Sequence, residues 1–542
     1  MKKPIALLLT LGMALSLTAC GGGDKQSGGQ DAGGSGAAGT EAGGSAGSDD
    51  GADTGSDAGS ADAGSASDGA VDRDDLTVIL GAEFSTLDPQ ALPSVAEINF
   101  CSNIFDGLVA LDEEGKVQPM LASSWDISDD GTSYTFHLQE GIKFHNGDVM
   151  DAEDVKLSVD RFTEESWMQF ASFAIKDCEV VDDHTVTINL KYAYGNFLNM
   201  LWYCEIIDAD YFNSVDLEEF GRNPIGTGAY KFVSWTAGQN VKLEANEEYW
   251  NGAPSIKNLT FNFIADTNTA LVALETGEAD LAFGTALSAV TYQQAQSNEN
   301  LATDSTVGNS FYYTNFNSNR IPKEVRQALS YAIDREALNV MITEGTGYVG
   351  DMALVEGQEG YTTDVTTYPY DPEKAKELLA AAGAEDLVLT FYYGESTDNT
   401  KLGETLQAQL SAVGVTLELE PVESGTWWAT FEDGGYDVSR GGYPMEIANT
   451  DSAYYDMFHS TGTFNVSRIN NPEIDALLDE ARTELDSAKR DEIYIKVNQI
   501  LADEAYFVPL YFQASTVVYN ANLKGVKAVP TQKYMYKDFS WN

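Results

Sequence analysis

Leu387-Val388-Leu389-Thr390-Phe391-Tyr392-Tyr393 is a β-prone apolar run, and Val415-Thr416-Leu417-Glu418-Leu419 alternates apolar with polar. Between them lies a helical segment that ends at Gly414. A strand, a helix and a strand in this order predict a parallel pair joined by a crossover helix. The fold class expected is therefore α/β.

The same signals extend in both directions. Asp371-Pro372 opens a helix as cap and first-turn proline, and Gly383 closes it. Pro322 starts one helix carrying Val325, Leu329, Ile333 and Leu338, and Asn471-Pro472 starts another using Ile474, Leu477, Leu478 and Leu485. Tyr436 to Ser439 and Phe507 to Tyr519 read as strands. Nearer the start, Leu76 to Leu80 form a short strand. Tyr134, Phe136 and Leu138 share one strand face, as do Val186, Ile188 and Leu190. Asp151 and Asp154 begin a helix whose inner face is Val155, Val159 and Phe162. Leu259, Phe261 and Phe263 predict a strand, followed by a helix through Ala270, Leu271 and Leu274.

A chain of 542 residues is too long for one core and implies several domains. With 8 Trp, 27 Tyr and 24 Phe it builds globular cores readily. Its 85 acidic and 31 basic side chains give a net charge of −54, which excludes a nucleic-acid partner because phosphate binding needs a basic face. Four Cys are too few for a disulfide scaffold. No internal repeat and no second linker appears, so the lobes are expected to pack together.

The first seventy residues read as an address and a tether. Lys2 and Lys3 precede the apolar stretch Ile5 to Leu17, which has the length of a secretory signal. Residues 1–20 read as a lipoprotein signal, in which Leu17-Thr18-Ala19-Cys20 resembles the bacterial lipobox, whose cleavage before Cys20 would leave that cysteine as an acylated N-terminus. Residues 21–70 are expected to be a disordered linker, since 45 of these 50 residues are Gly, Ala, Ser, Asp or Glu. The first 20 residues carry +2 and residues 21–70 carry −8, which leaves −48 on residues 71–542.

Catalytic and metal signatures are missing. His137, His145, His184 and His459 show no zincin spacing, and Cys101, Cys178 and Cys204 show no CxxC spacing. A disulfide between Cys178 and Cys204 stays open at this point. There is no nucleophile elbow and no phosphate-cradling glycine loop. Gly226-Thr227-Gly228 reads as a tight loop, and Asp129-Asp130-Gly131 as a surface turn. No cofactor is expected, and no enzymatic activity.

Eight segments in one order carry a resemblance. They are Leu87-Asp88-Pro89, Asn103-Ile104-Phe105-Asp106-Gly107-Leu108-Val109, Pro119-Met120-Leu121-Ala122-Ser123-Ser124-Trp125, and Tyr134-Thr135-Phe136-His137-Leu138. Then come Gly141-Ile142-Lys143-Phe144-His145-Asn146-Gly147-Asp148, Asn223-Pro224-Ile225-Gly226-Thr227-Gly228-Ala229-Tyr230, Val325-Arg326-Gln327-Ala328-Leu329 with Ala332-Ile333-Asp334-Arg335, and Asp371-Pro372-Glu373-Lys374-Ala375. Across residues 76 to 520 the chain resembles the bacterial extracellular solute-binding proteins of family five, the oligopeptide-binding lipoproteins of ABC importers.

The resemblance implies a three-lobed periplasmic-binding-protein-like fold of the cluster C type, with two ligand-clasping lobes plus an extra lobe. Lobe I would be 71–105, 221–308 and 510–542, lobe II 106–220 and lobe III 309–509. Lobes I and III would close through hinge crossings near Gly308 and Pro509. Lobe II would stay clear of the ligand.

In this family an extended peptide pairs its backbone with strands of both lobes. The matching segments are Glu83-Phe84-Ser85 and Gly441-Gly442-Tyr443, where the glycines serve close backbone approach or form a plain loop. Glu446 takes the position of the acid that meets the peptide ammonium, with Asp451 as fallback. Arg440 would meet a ligand carboxylate or an internal acid. Trp427 and Trp428 would supply a pocket aromatic, with Tyr312 and Tyr313 as further candidates near the hinge.

The function implied is a monomeric receptor that delivers oligopeptides to the ABC permease subunits of the cytoplasmic membrane. It would sit on that membrane's outer face, lipid-anchored through acylated Cys20, in a single-membrane bacterium. The alternative within the class is an oligosaccharide, nickel complex or haem as ligand. A surface-anchored enzyme or adhesin is the alternative outside it.

Overall fold

The computed structural model describes residues 73–541, apart from 92–96, 98–99, 113–114, 424–425, 427–428, 430, 432–433 and 446–448. Cys20, residues 21–70, Trp427, Trp428 and Glu446 lie outside the described residues.

The chain enters on β1 (Asp75–Leu80), where Leu76, Val78 and Ile79 are buried. β2 (Val109–Leu111) and β3 (Val117–Pro119) form a short antiparallel hairpin. β4 (Ala122–Ile127), β5 (Ser133–Leu138), β6 (Ile175–Asp182) and β7 (Thr185–Leu190) make an antiparallel sheet in the order β4-β5-β7-β6. Tyr134, Phe136, Leu138, Val186, Ile188 and Leu190 all turn inward, as their alternation predicts. The helix Ala152–Glu164 packs on this sheet, and Asp151 and Asp154 close its capping box.

Nine further strands join β1 in the main sheet. They are β8 (Tyr230–Thr236), β9 (Asn240–Ala245), β10 (Asn258–Phe263), β11 (Leu281–Phe283), β12 (Leu301–Phe316), β13 (Val388–Gly394), β14 (Thr416–Val422), β15 (Val438–Pro444) and β16 (Phe507–Asn520). Their order is β14-β13-β15-β12-β16-β11-β1-β10-β9-β8. β17 (Leu523–Lys524) and β18 (Ser540–Trp541) pair in the tail.

β13 and β14 are parallel, from Val388 opposite Thr416 to Gly394 opposite Val422. The crossover helix Thr397–Ser411 starts at the Ser396 cap and buries Leu402, Leu406 and Leu410. Each such leucine contributes about 1.5–3 kcal/mol by leaving water.

Two long strands span the sheet. β12 pairs with β16 from Leu301–Val307 opposite Asn520–Ala514, and again from Phe311–Asn315 opposite Phe512–Phe507. The ladder shifts between Val307 and Phe311, and again between Tyr312 and Tyr313, opposite Tyr511 and Pro509. The cores divide at the same place. One core runs from Leu76 to Leu281 and takes in Val517 to Phe539; a smaller one holds Ala270 to Ala295. Two others, built from residues between Phe311 and Phe512, lie behind β12 and β15. The tail is stitched into the first core by Asn103, which donates to the Tyr534 carbonyl at 2.9 Å and accepts from the Tyr536 amide at 3.1 Å.

Three expectations are corrected. The helix expected from Pro322 through Leu338 is two, Lys323–Tyr331 and Arg335–Thr343. Asp334 begins the second by accepting from the Ala337 amide. The helix expected to reach Leu485 ends at Thr483. The strand expected at Tyr436 to Ser439 runs from Val438 to Pro444, which puts Gly441 and Gly442 inside a strand rather than in a loop. Cys101, Cys178 and Cys204 are free and buried.

Candidate functional site

A cleft of about 600 Å³ opens where β12 and β16 change register. One wall is the segment Gly284–Ala289 with Pro530 and Gln532. The other holds Tyr312, Arg440, Asp398 and Tyr511, and Gly308, Asn309 and Gln513 lie between.

The opposed wall is an aromatic shelf carrying one cation. The Tyr312 and Tyr511 rings are 5.0 Å apart, and the Arg440 guanidinium lies 4.5 Å from the Tyr312 ring centre. Tyr312 donates to Gln513 Oε1 at 3.3 Å. Among the described residues no carboxylate and no acceptor bonds the Arg440 side chain. A guanidinium so placed, with its fork of donors, suits a carboxylate or carbonyl ligand. Asp398 is the one acid of the described lining, with Lys401 at 3.8 Å.

The glycines of β15 are required by the strand beside them. A Cβ on Gly441 would stand 2.4 Å from the Tyr313 ring, and one on Gly442 3.1 Å from Tyr312. Met445 donates to the Asn309 carbonyl, and Asn317 donates to the Asp437 carbonyl. Odd-numbered residues of β15 therefore point their main-chain groups at β12, and Gly442 points its own to the far edge. On that edge β13 reaches only Val438 and Ser439. Gly442 is exposed there, and among the described residues no strand pairs with it on that edge.

Glu83, Phe84 and Ser85 follow β1 and are not among the residues lining the cleft; just before them Gly81 abuts Thr285 and Ala286 of its wall. Their side chains are engaged elsewhere. Glu83 accepts from Trp235 Nε1 and from the Gly238 amide. Phe84 is buried against Phe100, Phe263 and Trp235. Ser85 donates twice to Glu97. Among the described residues the main chain of Ala82, Glu83 and Phe84 makes no hydrogen bond.

Two expected residues fall on the wrong side. Tyr313 is buried, stacked on Phe311 at 5.0 Å and packed on Phe507, so the cleft aromatic of this pair is Tyr312. Tyr443 also turns away, with its hydroxyl on Asp456 and its ring against Phe464. Asp451 is wholly buried and pairs with Arg482 at 2.9 Å, which leaves it unable to serve as a ligand partner. Burial raises its carboxyl, and the Arg482 charge opposes that rise. Trp427, Trp428 and Glu446 lie outside the described residues.

Tyr511, Gln513, Asp398 and the segment Gly284–Ala289 were missed by sequence reasoning. No local pattern marks them, because only the sheet order brings them beside Tyr312.

The histidines are structural in their contacts. His145 donates from Nε2 to the Gly228 carbonyl at 2.9 Å and accepts the Gly226 amide at Nδ1. Burial lowers its pKa to about 4. Among the described residues no cluster of three or more His, Cys, Asp or Glu could hold a metal, and no helix is long and apolar enough to cross a membrane.

A family model described as "Bacterial extracellular solute-binding proteins, family 5 Middle" matches residues 116–465. The glutathione-binding protein GsiB of Escherichia coli K12 is 29% identical over 489 residues, covering 86% of this chain and 94% of its own. The substrate-binding protein CtaP of Listeria monocytogenes superposes with a TM-score of 0.77 at 27% identity, over 87% of this chain and 100% of its own. DppA of Helicobacter pylori, solved with the peptide STSA, superposes with a TM-score of 0.71 at 26% identity, over 86% and 98%.

Proposed function

The chain belongs to the bacterial extracellular solute-binding proteins of family 5, and we propose that it captures oligopeptides for an ABC importer. The observation that carries the reading is Arg440, a cation without an acid partner among the described residues, set on an aromatic shelf in a cleft between two bodies. An extended peptide suits this arrangement. Its backbone would pair with the exposed edge at Gly442 and with the open main chain at Glu83 and Phe84. Its carboxylate would meet Arg440, and its ammonium would meet Glu446.

The three lobes are part of this proposal: the cores set most of residues 309–509 apart, whereas residues 71–105 and 106–220 share one core, and closure would occur at Gly308 and Pro509. Lipid anchoring through Cys20 would keep the receptor beside its permease. The proposal is of a binding protein, with no reaction assigned to it.

The test is the melting temperature of the full chain in detergent with a mixed peptide library, with oligosaccharides and with nickel–histidine. A ligand that binds only the folded state raises stability by RT ln(1 + [L]/Kd). Peptides should raise the melting temperature. A rise with a sugar or the nickel complex and none with peptides would move the assignment to that ligand.

A further inference from the structure

The bodies on either side of the β12–β16 crossing meet near the cleft, where the Gln293 side chain donates to the Glu344 carbonyl. They also meet in the extra lobe, around Tyr194, Gly195 and Asn196. Tyr194 belongs to the core of the first body, whereas Asn449, Asp451 and Arg482 surround the core of the second. The Gly195 amide donates to the Arg482 carbonyl at 3.0 Å. Asn196 donates to Asn449 Oδ1, and Asn449 donates to the Tyr194 hydroxyl, both at 3.2 Å. The Arg482 guanidinium, paired with Asp451, lies 5.2 Å from the ring centre of Phe173 in the first body. Tyr194, Asn196, Asn449 and Asp451 are each at most 2% exposed.

We infer that this contact is a clasp that holds the closed state, so that residues outside the ligand cleft set ligand affinity. The inference rests on closure about Gly308 and Pro509. The chain crosses between the bodies only there, so opening must break every bond across the clasp. Each of those bonds is exchanged for one to water, and the paired acid and arginine become wet again. Closure is therefore favoured by contacts that no ligand supplies, and apparent affinity scales with the closed fraction. The extra lobe thereby acquires a task although it stays clear of the cleft.

Gly195 gives a clean probe. Its φ is not in the left-handed region, so alanine suits the backbone. The added Cβ would fall 2.2 Å from the Glu484 carbonyl oxygen, on the second body. Gly195→Ala is thus compatible with an open molecule and incompatible with a seated clasp. Asn449→Ala removes the polar bridge without a clash.

The experiment is hydrogen exchange on the full chain in detergent, with and without the peptide library. In the parent chain, peptide should slow exchange at residues 192–197 and 480–486 together. In Gly195→Ala both segments should exchange faster without ligand, and peptide affinity should fall about tenfold as the closed fraction drops. Asn449→Ala should do the same to a lesser degree. Peptide binding with unchanged exchange at both segments, or full affinity in Gly195→Ala, overturns the clasp and leaves peptide capture standing. Binding of no peptide overturns the functional reading instead. The clasp is then decided on ligand-free chains, where equal exchange in Gly195→Ala and parent overturns it.

Discussion

Arg440 lies 4.5 Å from the centre of the Tyr312 ring, and these two residues come from adjacent strands, β15 and β12. The tyrosine holds the guanidinium over its face, and among the described residues nothing accepts from its donors. Arg440→Gln should weaken peptides with a free carboxylate by roughly ten- to a hundredfold, the value of a hydrogen bond to a charged group. Amidated peptides should lose much less. Calorimetric titration of both peptide forms against parent and variant checks this, and equal losses would remove the carboxylate from Arg440.

Glu446→Gln should act at the other end of the ligand. A buried ammonium without an anion costs several kcal/mol, so peptides with a free amino terminus should weaken far more than acetylated ones. The same titration, run with acetylated peptides, decides it. Equal loss in both rejects Glu446 as the ammonium partner.

Gly308 has no room for a side chain. A Cβ there would lie 2.4 Å from the Gln513 carbonyl oxygen, inside the register shift of β12 and β16. Gly308→Ala should force the strands apart, with a destabilisation of about 1–3 kcal/mol as for other overpacked sites. A thermal melt of the variant measures the loss. Gly435→Ala is the control, since nothing lies within 4 Å of the Cβ it adds.

His145 should make the fold sensitive to acid. In the folded chain its pKa is about 4, against an ordinary value near 6.5, because burial strips water from the charged ring and the nearby Lys231 charge adds to the fall. Between those values the unfolded chain binds the proton and the folded one does not, so stability falls as pH drops from about 6.5 to about 4. Asp154 acts in the opposite sense, since burial raises its carboxyl to about 6. The difference between parent and His145→Gln isolates the histidine. The gap in melting temperature should shrink as pH falls through this window, and a constant gap would contradict the assignment.

Much of the fold is legible because short-range rules decide it. The alternation of Tyr134, Phe136 and Leu138 selects a strand face, and the Asp151–Asp154 box places a helix start to the residue. The hinge positions named from resemblance, Gly308 and Pro509, fall where the ladder slips. The split after Tyr331 was hidden because the apolar period continues through Ile333 and Leu338, and only the cap at Asp334 marks the break.

The cleft was less legible, for a different reason. Tyr312 and Tyr313 are adjacent aromatics on one strand, and they face opposite sides of the sheet. Which one meets the cleft depends on the pairing of β12 with β15 and β16, formed by residues far away in sequence. Asp451 misleads in the same way. It stands where a ligand-binding acid is expected, but Arg482 from another helix claims it.

The attachment of the tail to Asn103 has a bearing on biogenesis. Val517, Leu523, Val526, Tyr534, Tyr536 and Phe539 fill a core whose other members begin at Leu76. Until those late residues have cleared the ribosome or translocon, the early segment lacks its packing partners and exposes apolar surface. A nascent chain is thereby kept from premature consolidation, a state suited to passage through a narrow channel. A polypeptide cut short before Val517 should remain a substrate for proteolysis.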